Sequence, residues 1–327
     1  MNPNRFTVRP LLLAASAALI TLVAACSAPA EDDPESSAAH TPVTVEHEYG
    51  ATTIDHEPTR VVTFSTNWTD TLAALDIPIT AEFVQKGYSG PNNHFEWTPD
   101  HESQIKVVDS LTSIDVAELA AFKPDLILAG YVGDQKNYDR LSALAPTIPV
   151  MRKGASVDTW EDITTTTGKI FGKESDAAEL VTATQDKIDA FKADHPAAVG
   201  KTFTFAQFQQ TGGVGAVNST EDAAAGLLTQ LGFVLNPKLA AENKGGATRS
   251  MISSERIDLL DSDLLVAWTL GDKSVYAKVP GWDSLTAVRD DTVVYLTNDN
   301  APAFGVPSAP SVEYVIGLLD PVADEFA

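Results

Sequence analysis

The chain is short of cysteine, of basic residues and of the usual signatures of catalysis. Cys26 is the one cysteine in 327 residues, so no intrachain disulfide framework exists. Stability has to come from a buried core, which a chain of this length can build in one or two domains. Lys and Arg total 22 against 45 Asp and Glu, for a formal net charge of −23. Such a field repels nucleic acid and anionic lipid headgroups, which excludes both as partners held by charge. No Gly-x-Ser-x-Gly elbow occurs, and no His sits where a strand end would aim it. Gly212-Gly213-Val214-Gly215 follows a strand signal but is not continued by Lys-Ser/Thr and lacks the sixth position of a dinucleotide fingerprint, so it reads as a flexible cleft loop. The six His are scattered, with His94 and His101 sharing a loop, and zinc-ligand spacing is missing.

What is present begins with a targeting segment. Arg5 and Arg9 precede the apolar run Leu11–Ala25, the layout of a secretory signal and short for a membrane-spanning helix with its own flanks. The run ends in Leu22-Val23-Ala24-Ala25-Cys26, which resembles the lipobox of bacterial lipoproteins, where the Cys becomes the lipidated N-terminus. Residues 1–25 therefore read as a signal peptide. Without Arg5 and Arg9 the basic residues fall to 20 against 45 acidic, so attachment to the extracytoplasmic face of the cell membrane is expected to be covalent, through Cys26. Residues 26–42, rich in Ala, Ser, Pro, Asp and Glu and without a large apolar residue, read as a disordered tether.

From residue 43 strand and helix signals alternate. Val43–Tyr49 and Thr52–Ile54 flank Gly50-Ala51 as a hairpin, and Arg60–Ser65 and Ile79–Val84 read as strands. Gln85–His101 is a long aromatic-bearing loop, and Pro124–Gly130 suits a strand buried on both faces. After residue 197 the pattern returns, with strands at Lys201–Phe208, Asp263–Trp268 and Thr292–Leu296 and a terminal helix over Ser308–Phe326. Between the halves lie two helix signals. Val157–Phe171 has Asp158 as its expected cap and Gly172 past its end, and Ser175–His195 is stopped by Pro196. A helix of about 20 residues is a rod of roughly 30 Å, enough to cross from one small domain to another. The segments 119–129 and 257–267 also match as helix, short turn, Asp and buried strand. The expected organisation is α/β, two sandwich lobes (43–155 and 197–327) joined by the helices of 156–196.

These residues resemble the substrate-binding proteins of bacterial ABC importers for ferric siderophores, haem and cobalamin. The resemblance rests on Pro58-Thr59-Arg60-Val61-Val62, on Leu119–Leu128 and on Trp282–Asp290, in that order. It implies a monomeric binding protein, not an enzyme and with no cofactor, that captures a ferric siderophore between its lobes and delivers it to a permease driven by a separate ATPase. It also implies one acidic docking residue per lobe. Glu255, in Ser253-Ser254-Glu255-Arg256, falls on that motif, whereas the first lobe offers Glu118 or Asp115 in shifted register.

Ligands of open α/β sheets bind at the carboxyl ends of strands. That rule selects Asn67, Trp68, Tyr88, Tyr131, Gln209, Gln210 and Trp268; Arg249 and Phe304 are added by position in the resembled family. An iron already saturated by its chelate asks for flat aromatic walls and a few polar donors, not for metal ligands from the protein. Binders of citrate or catecholate chelates in the resembled family gather several Arg, whereas past the signal this chain has only Arg60, Arg140, Arg152, Arg249, Arg256 and Arg289, so the resemblance implies a neutral or cationic chelate such as a hydroxamate. Haem binding, with His94 or Tyr88 as an axial ligand, stays open, as does cobalamin binding. From another class, an α/β hydrolytic enzyme would need the nucleophile this chain lacks.

Overall fold

The computed structural model describes residues 41–210, 212–269 and 271–326. Cys26, the apolar run before it and the tether up to residue 40 lie outside the described residues. The first strands pair as an antiparallel hairpin, β1 (Val43–His47) with β2 (Gly50–Ile54), His47 opposite Gly50. Its turn is Glu48-Tyr49 rather than Gly50-Ala51. The buried His47 ring accepts the Tyr49 amide on Nδ1 at 3.2 Å and meets Thr52 Oγ1 with Nε2 at 3.0 Å, which closes the chain earlier.

Five parallel strands then form the first sheet: β3 (Val61–Thr63), β4 (Ala81–Gln85), β5 (Gln104–Val108), β6 (Leu126–Gly130) and β7 (Thr147–Pro149), in spatial order β5-β4-β3-β6-β7. Helix α1 (Thr66–Ala74) follows β3, α2 (Val116–Ala120) precedes β6 and α3 (Gln135–Ser142) follows it. Val61, Leu126 and Leu128 pack into one face, and Val62, Ile127 and Ala129 into the other. A strand covered on both sides needs apolar residues at every position, which is why 126–129 carries no polar side chain.

Two helices leave this sheet. Helix α4 (Trp160–Ile170) is capped by Thr159, whose Oγ1 accepts the Asp162 amide at 3.1 Å, and not by Asp158. The Asp158 carboxylate is taken by the amides of Met151 and Arg152 at 2.9 and 3.0 Å. Helix α5 (Glu174–Asp194) follows, 21 residues and so about 30 Å long. The two touch at Gly168, where a Cβ would come within 2.6 Å of the Ala177 Cβ. Ala177 near the start of α5 sits in the core of the first lobe, Ile188 and Phe191 near its end sit in the core of the second, and Leu180 packs against both. Each end of the rod is thus anchored by burial in a different lobe.

The second sheet holds β8 (Thr202–Phe208), β9 (Gly213–Val217), β10 (Val234–Leu235), β11 (Arg249–Ser253), β12 (Leu264–Thr269) and β13 (Val293–Leu296), in order β11-β9-β8-β12-β13 with β10 beside β8. Helices α6 (Ala223–Gln230), α7 (Pro237–Ala240), α8 (Thr286–Arg289), α9 (Ala301–Gly305) and α10 (Ala309–Ala323) complete the lobe. The expected cleft loop 212–215 is largely strand β9, antiparallel to both β8 and β11. A strand with partners on both sides tolerates glycine that an isolated one would not, because the two ladders supply what side-chain packing does not. The helical part of the segment 257–267 belongs to a 3₁₀ helix over Ser254–Leu260, not an α-helix, and Phe304 lies on α9.

The matching segments have one structural job in both lobes. Asp125, before β6, accepts the amides of Thr59 and Arg60 at 3.1 and 2.8 Å and so ties down the entry to β3, the strand beside it. Burial works against its charge, but these amide hydrogen bonds hold its pKa below the ordinary carboxylate value. Asp263, before β12, accepts the Thr202 amide at 2.7 Å at the entry to neighbouring β8. Among the described residues no helix is long and apolar enough to cross a membrane.

Candidate ligand-binding cavity

A cavity of about 330 Å³ opens between the lobes. Its position follows from how α1 leaves β3. At about 100° per residue, Thr66, Thr69 and Asp70 share one helix face and line the cavity, while Asn67 and Trp68 turn away. Asn67 Oδ1 is occupied by the Ser65 hydroxyl at 2.7 Å and the Trp68 amide at 3.0 Å. Trp68, 0% exposed, packs into the core of the first lobe. The strand-end rule finds the correct turn here and the opposite face of it.

Three of the selected residues do line the cavity: Tyr88, Trp268 and Arg249. Tyr88, from the loop after β4, meets the edge of Trp268 on β12 with centroids 6.4 Å apart and planes at 83°, so one aromatic comes from each lobe. The Trp268 indole is fixed by donating Nε1–H to Asn298 Oδ1 at 3.1 Å. Arg249 opens strand β11. Its Nε and Nη2 reach Asp222 at 2.7 and 3.2 Å, and its guanidinium lies 5.5 Å from the Phe205 centroid. Phe304 is buried behind Phe205 at 6.0 Å, so it supports the cavity wall without being part of it. Tyr131, 54% exposed, is not among the lining residues. Neither are Gln209 and Gln210; the latter donates to Thr269 Oγ1 at 3.3 Å.

Sequence reasoning missed Phe64, Thr66, Asp70, Glu82, Phe205 and Val306, all of which line the cavity. The one available signal was the polar i, i+3, i+4 set of Thr66, Thr69 and Asp70 at the head of a helix that ends in Leu72-Ala73-Ala74. Asp70 is fully buried where the lobes meet. Its carboxylate accepts Trp97 Nε1–H at 2.9 Å and the Thr98 hydroxyl at 2.6 Å from the first lobe, and the Ser308 hydroxyl at 2.6 Å from the N-cap of α10 in the second. Desolvation outweighs these three bonds, with help from the Glu82 charge, and pushes its pKa up to about 6. Glu82, also buried, is approached by His101 Nε2 at 2.7 Å and by the Ser103 hydroxyl. Burial opposes its charge, yet those two hydrogen bonds hold the Glu82 pKa below the ordinary value, and the same contact raises that of His101.

The docking candidates lie on the surface. Glu255 is exposed on the 3₁₀ turn after Ser253. Glu118 is exposed on α2 and pairs with Lys106 at 3.4 Å, whereas Asp115 caps that helix by accepting the Ala117 amide at 2.8 Å.

The model of the family described as periplasmic binding protein matches residues 61–300, most of the chain and both sheets. The chain belongs to that family. Among its relatives, this binding protein is 27% identical over 301 residues to YhfQ of Bacillus subtilis strain 168, provisionally named an ABC transporter substrate-binding lipoprotein; the match covers 85% of this chain and 87% of YhfQ. It is 28% identical over 257 residues to YfiY of the same organism, provisionally named a siderophore-binding lipoprotein, covering 77% and 76%. The crystal structure of a periplasmic solute binding protein from Mycobacterium smegmatis aligns with a TM-score of 0.72 at 28% identity, covering 88% of this chain and 99% of that one.

Proposed function

We propose that this binding protein captures a ferric siderophore in the cavity between its lobes and delivers it to an ABC permease powered by a separate ATPase. The observation that carries the reading is the Tyr88–Trp268 pair, an aromatic from each lobe facing one apolar cavity. Two rings packed edge to face offer a continuous aromatic surface to the ligand skirt of a chelate, which binds it through area and shape without touching its iron. Thr66 lines the same cavity, and its buried Oγ1 has no hydrogen-bond partner among the described residues. Catalysis has no part in this reading. Glu118 and Glu255 are the surface acids that would meet the permease, Cys26 carries the lipid anchor on the extracytoplasmic face, and the protein acts as a monomer.

Charge narrows the ligand class. Arg249 is the one Arg or Lys among the described lining residues, and Asp222 already neutralises it from two nitrogens. Asp70 and Glu82 add acidic groups to the walls. A trianionic chelate would meet no unpaired guanidinium, whereas a neutral or cationic hydroxamate chelate meets no repulsion. Titration followed by Trp fluorescence is therefore expected to give at least tenfold tighter binding of a ferrioxamine-type chelate than of ferric citrate. The reverse order would refute the charge assignment, and saturable binding of neither would refute capture of ferric chelates.

A further inference from the structure

Three groups that sequence spacing keeps apart meet on the first-lobe wall of the cavity. Ligand atoms of Glu82, His94 and His101 all lie within 4.8 Å of one another. We propose that these three side chains hold a divalent first-row transition-metal ion, of the zinc type, with one coordination position open to the cavity. Two imidazoles and a carboxylate form a donor set that suits such ions and leaves the fourth position to water or an incoming ligand. Glu82 and His94 both line the cavity, so that position faces it.

The supporting contacts are already in place. His101 Nδ1 donates to the Pro99 carbonyl at 2.8 Å, which fixes the ring and leaves Nε2 for an ion. That Nε2 faces Glu82 Oε1 at 2.7 Å, and the Ser103 hydroxyl donates to the same oxygen. Without an ion a proton joins Nε2 to Oε1; on loading the ion takes its place and the proton passes to solvent. His94 is delivered by a tight turn. Gly90 has φ 70°, with a would-be Cβ 2.2 Å from the His94 carbonyl oxygen, and Asn92 and Asn93 hold φ of 59° and 62°. This backbone, unfavourable for residues with a side chain, brings the His94 ring to 5.0 Å from that of His101. Ligand atoms around a tetrahedral ion sit roughly 3.4 Å apart, so His94 has to move in by about an ångström. A carboxylate buried on β4 is costly to keep unless it is hydrogen-bonded or bound to an ion.

The inference does not depend on the chelate reading and is tested separately from it. Purified protein stripped on a chelating resin is titrated with zinc chloride by calorimetry, in parallel with the His94→Ala and Glu82→Gln variants. His94 is half-buried at a turn, so its variant is expected to keep the wild-type circular dichroism spectrum. The wild type is expected to bind one zinc per chain at this site, weakened at least about tenfold in His94→Ala. Cobalt in place of zinc is expected to give the visible absorption of a four-coordinate centre, absent from the variant. Failure of the wild type to bind zinc one to one overturns the proposal, as does equal affinity in the His94→Ala variant. Ferrioxamine titration of the zinc-free protein reports on chelate capture alone, so either reading can fail while the other stands.

Discussion

Unfolding free energy is expected to fall by roughly 3 kcal/mol as the pH rises from about 3 to about 7 in the wild type, relative to an Asp70→Asn variant. Burial raises the Asp70 carboxyl from 3.8 to about 6. The folded state therefore holds a proton more tightly than the unfolded chain does. Asp70 favours folding where the proton is bound and loses that contribution as the pH climbs through the folded value. Asn cannot titrate, so its urea midpoint lacks this share of the pH dependence, while other groups titrate in both proteins. A third variant separates charge from hydrogen bonding. Asp70→Ala strands the Trp97 indole N–H and the Thr98 and Ser308 hydroxyls. Orphaned buried donors cost about 1–3 kcal/mol each, and the hydroxyls can turn elsewhere, so a loss of about 2–4 kcal/mol at pH 5 is expected. Identical pH profiles for wild type and Asp70→Asn would show that the carboxyl is not buried where the lobes join.

Removing both facing aromatics is expected to weaken chelate binding about 100-fold. An aromatic at the centre of a site contributes on the order of 1–3 kcal/mol when truncated, and 1.4 kcal/mol is tenfold in affinity. Tyr88→Ala and Trp268→Ala alone should each cost about tenfold by calorimetry, a readout that does not depend on the Trp fluorescence one variant removes. Trp268 also packs against the core of the second lobe, so its variant should melt lower, while Tyr88→Ala, in a loop, should not. Unchanged affinity in the double variant would place the ligand elsewhere.

Much of this architecture could be read from the chain because period and burial agree in it. The run Leu126–Ala129 had to be buried on both faces, the helix over 174–194 was stopped ahead of Pro196, and Asp125 and Asp263 stood in matched segments that serve matched strands. Elements decided by neighbours were not readable. β9 is a strand because β8 and β11 flank it, β5 is an edge strand with mixed exposure, and α9 was hidden in a Pro- and Gly-containing segment. The same division runs through the site. Tyr88, Arg249 and Trp268 reach the cavity, but Trp68 and Asn67 do not, since one step of helix rotates a side chain by about 100° and a strand-end rule carries no such angle. The convergence of His94 and His101 on Glu82 was beyond spacing altogether. It depends on a turn through Gly90, Asn92 and Asn93 and on a strand partner about twenty residues away.

Intact protein purified from iron-starved cells, weighed by native mass spectrometry beside its Tyr88→Ala/Trp268→Ala variant, puts capture between the lobes to the most direct test. Wild-type protein should carry one iron-bearing chelate per chain, and the double variant should emerge without it. An iron-free wild type, or equal occupancy in the two proteins, would contradict a cavity that holds a ferric siderophore against Tyr88 and Trp268.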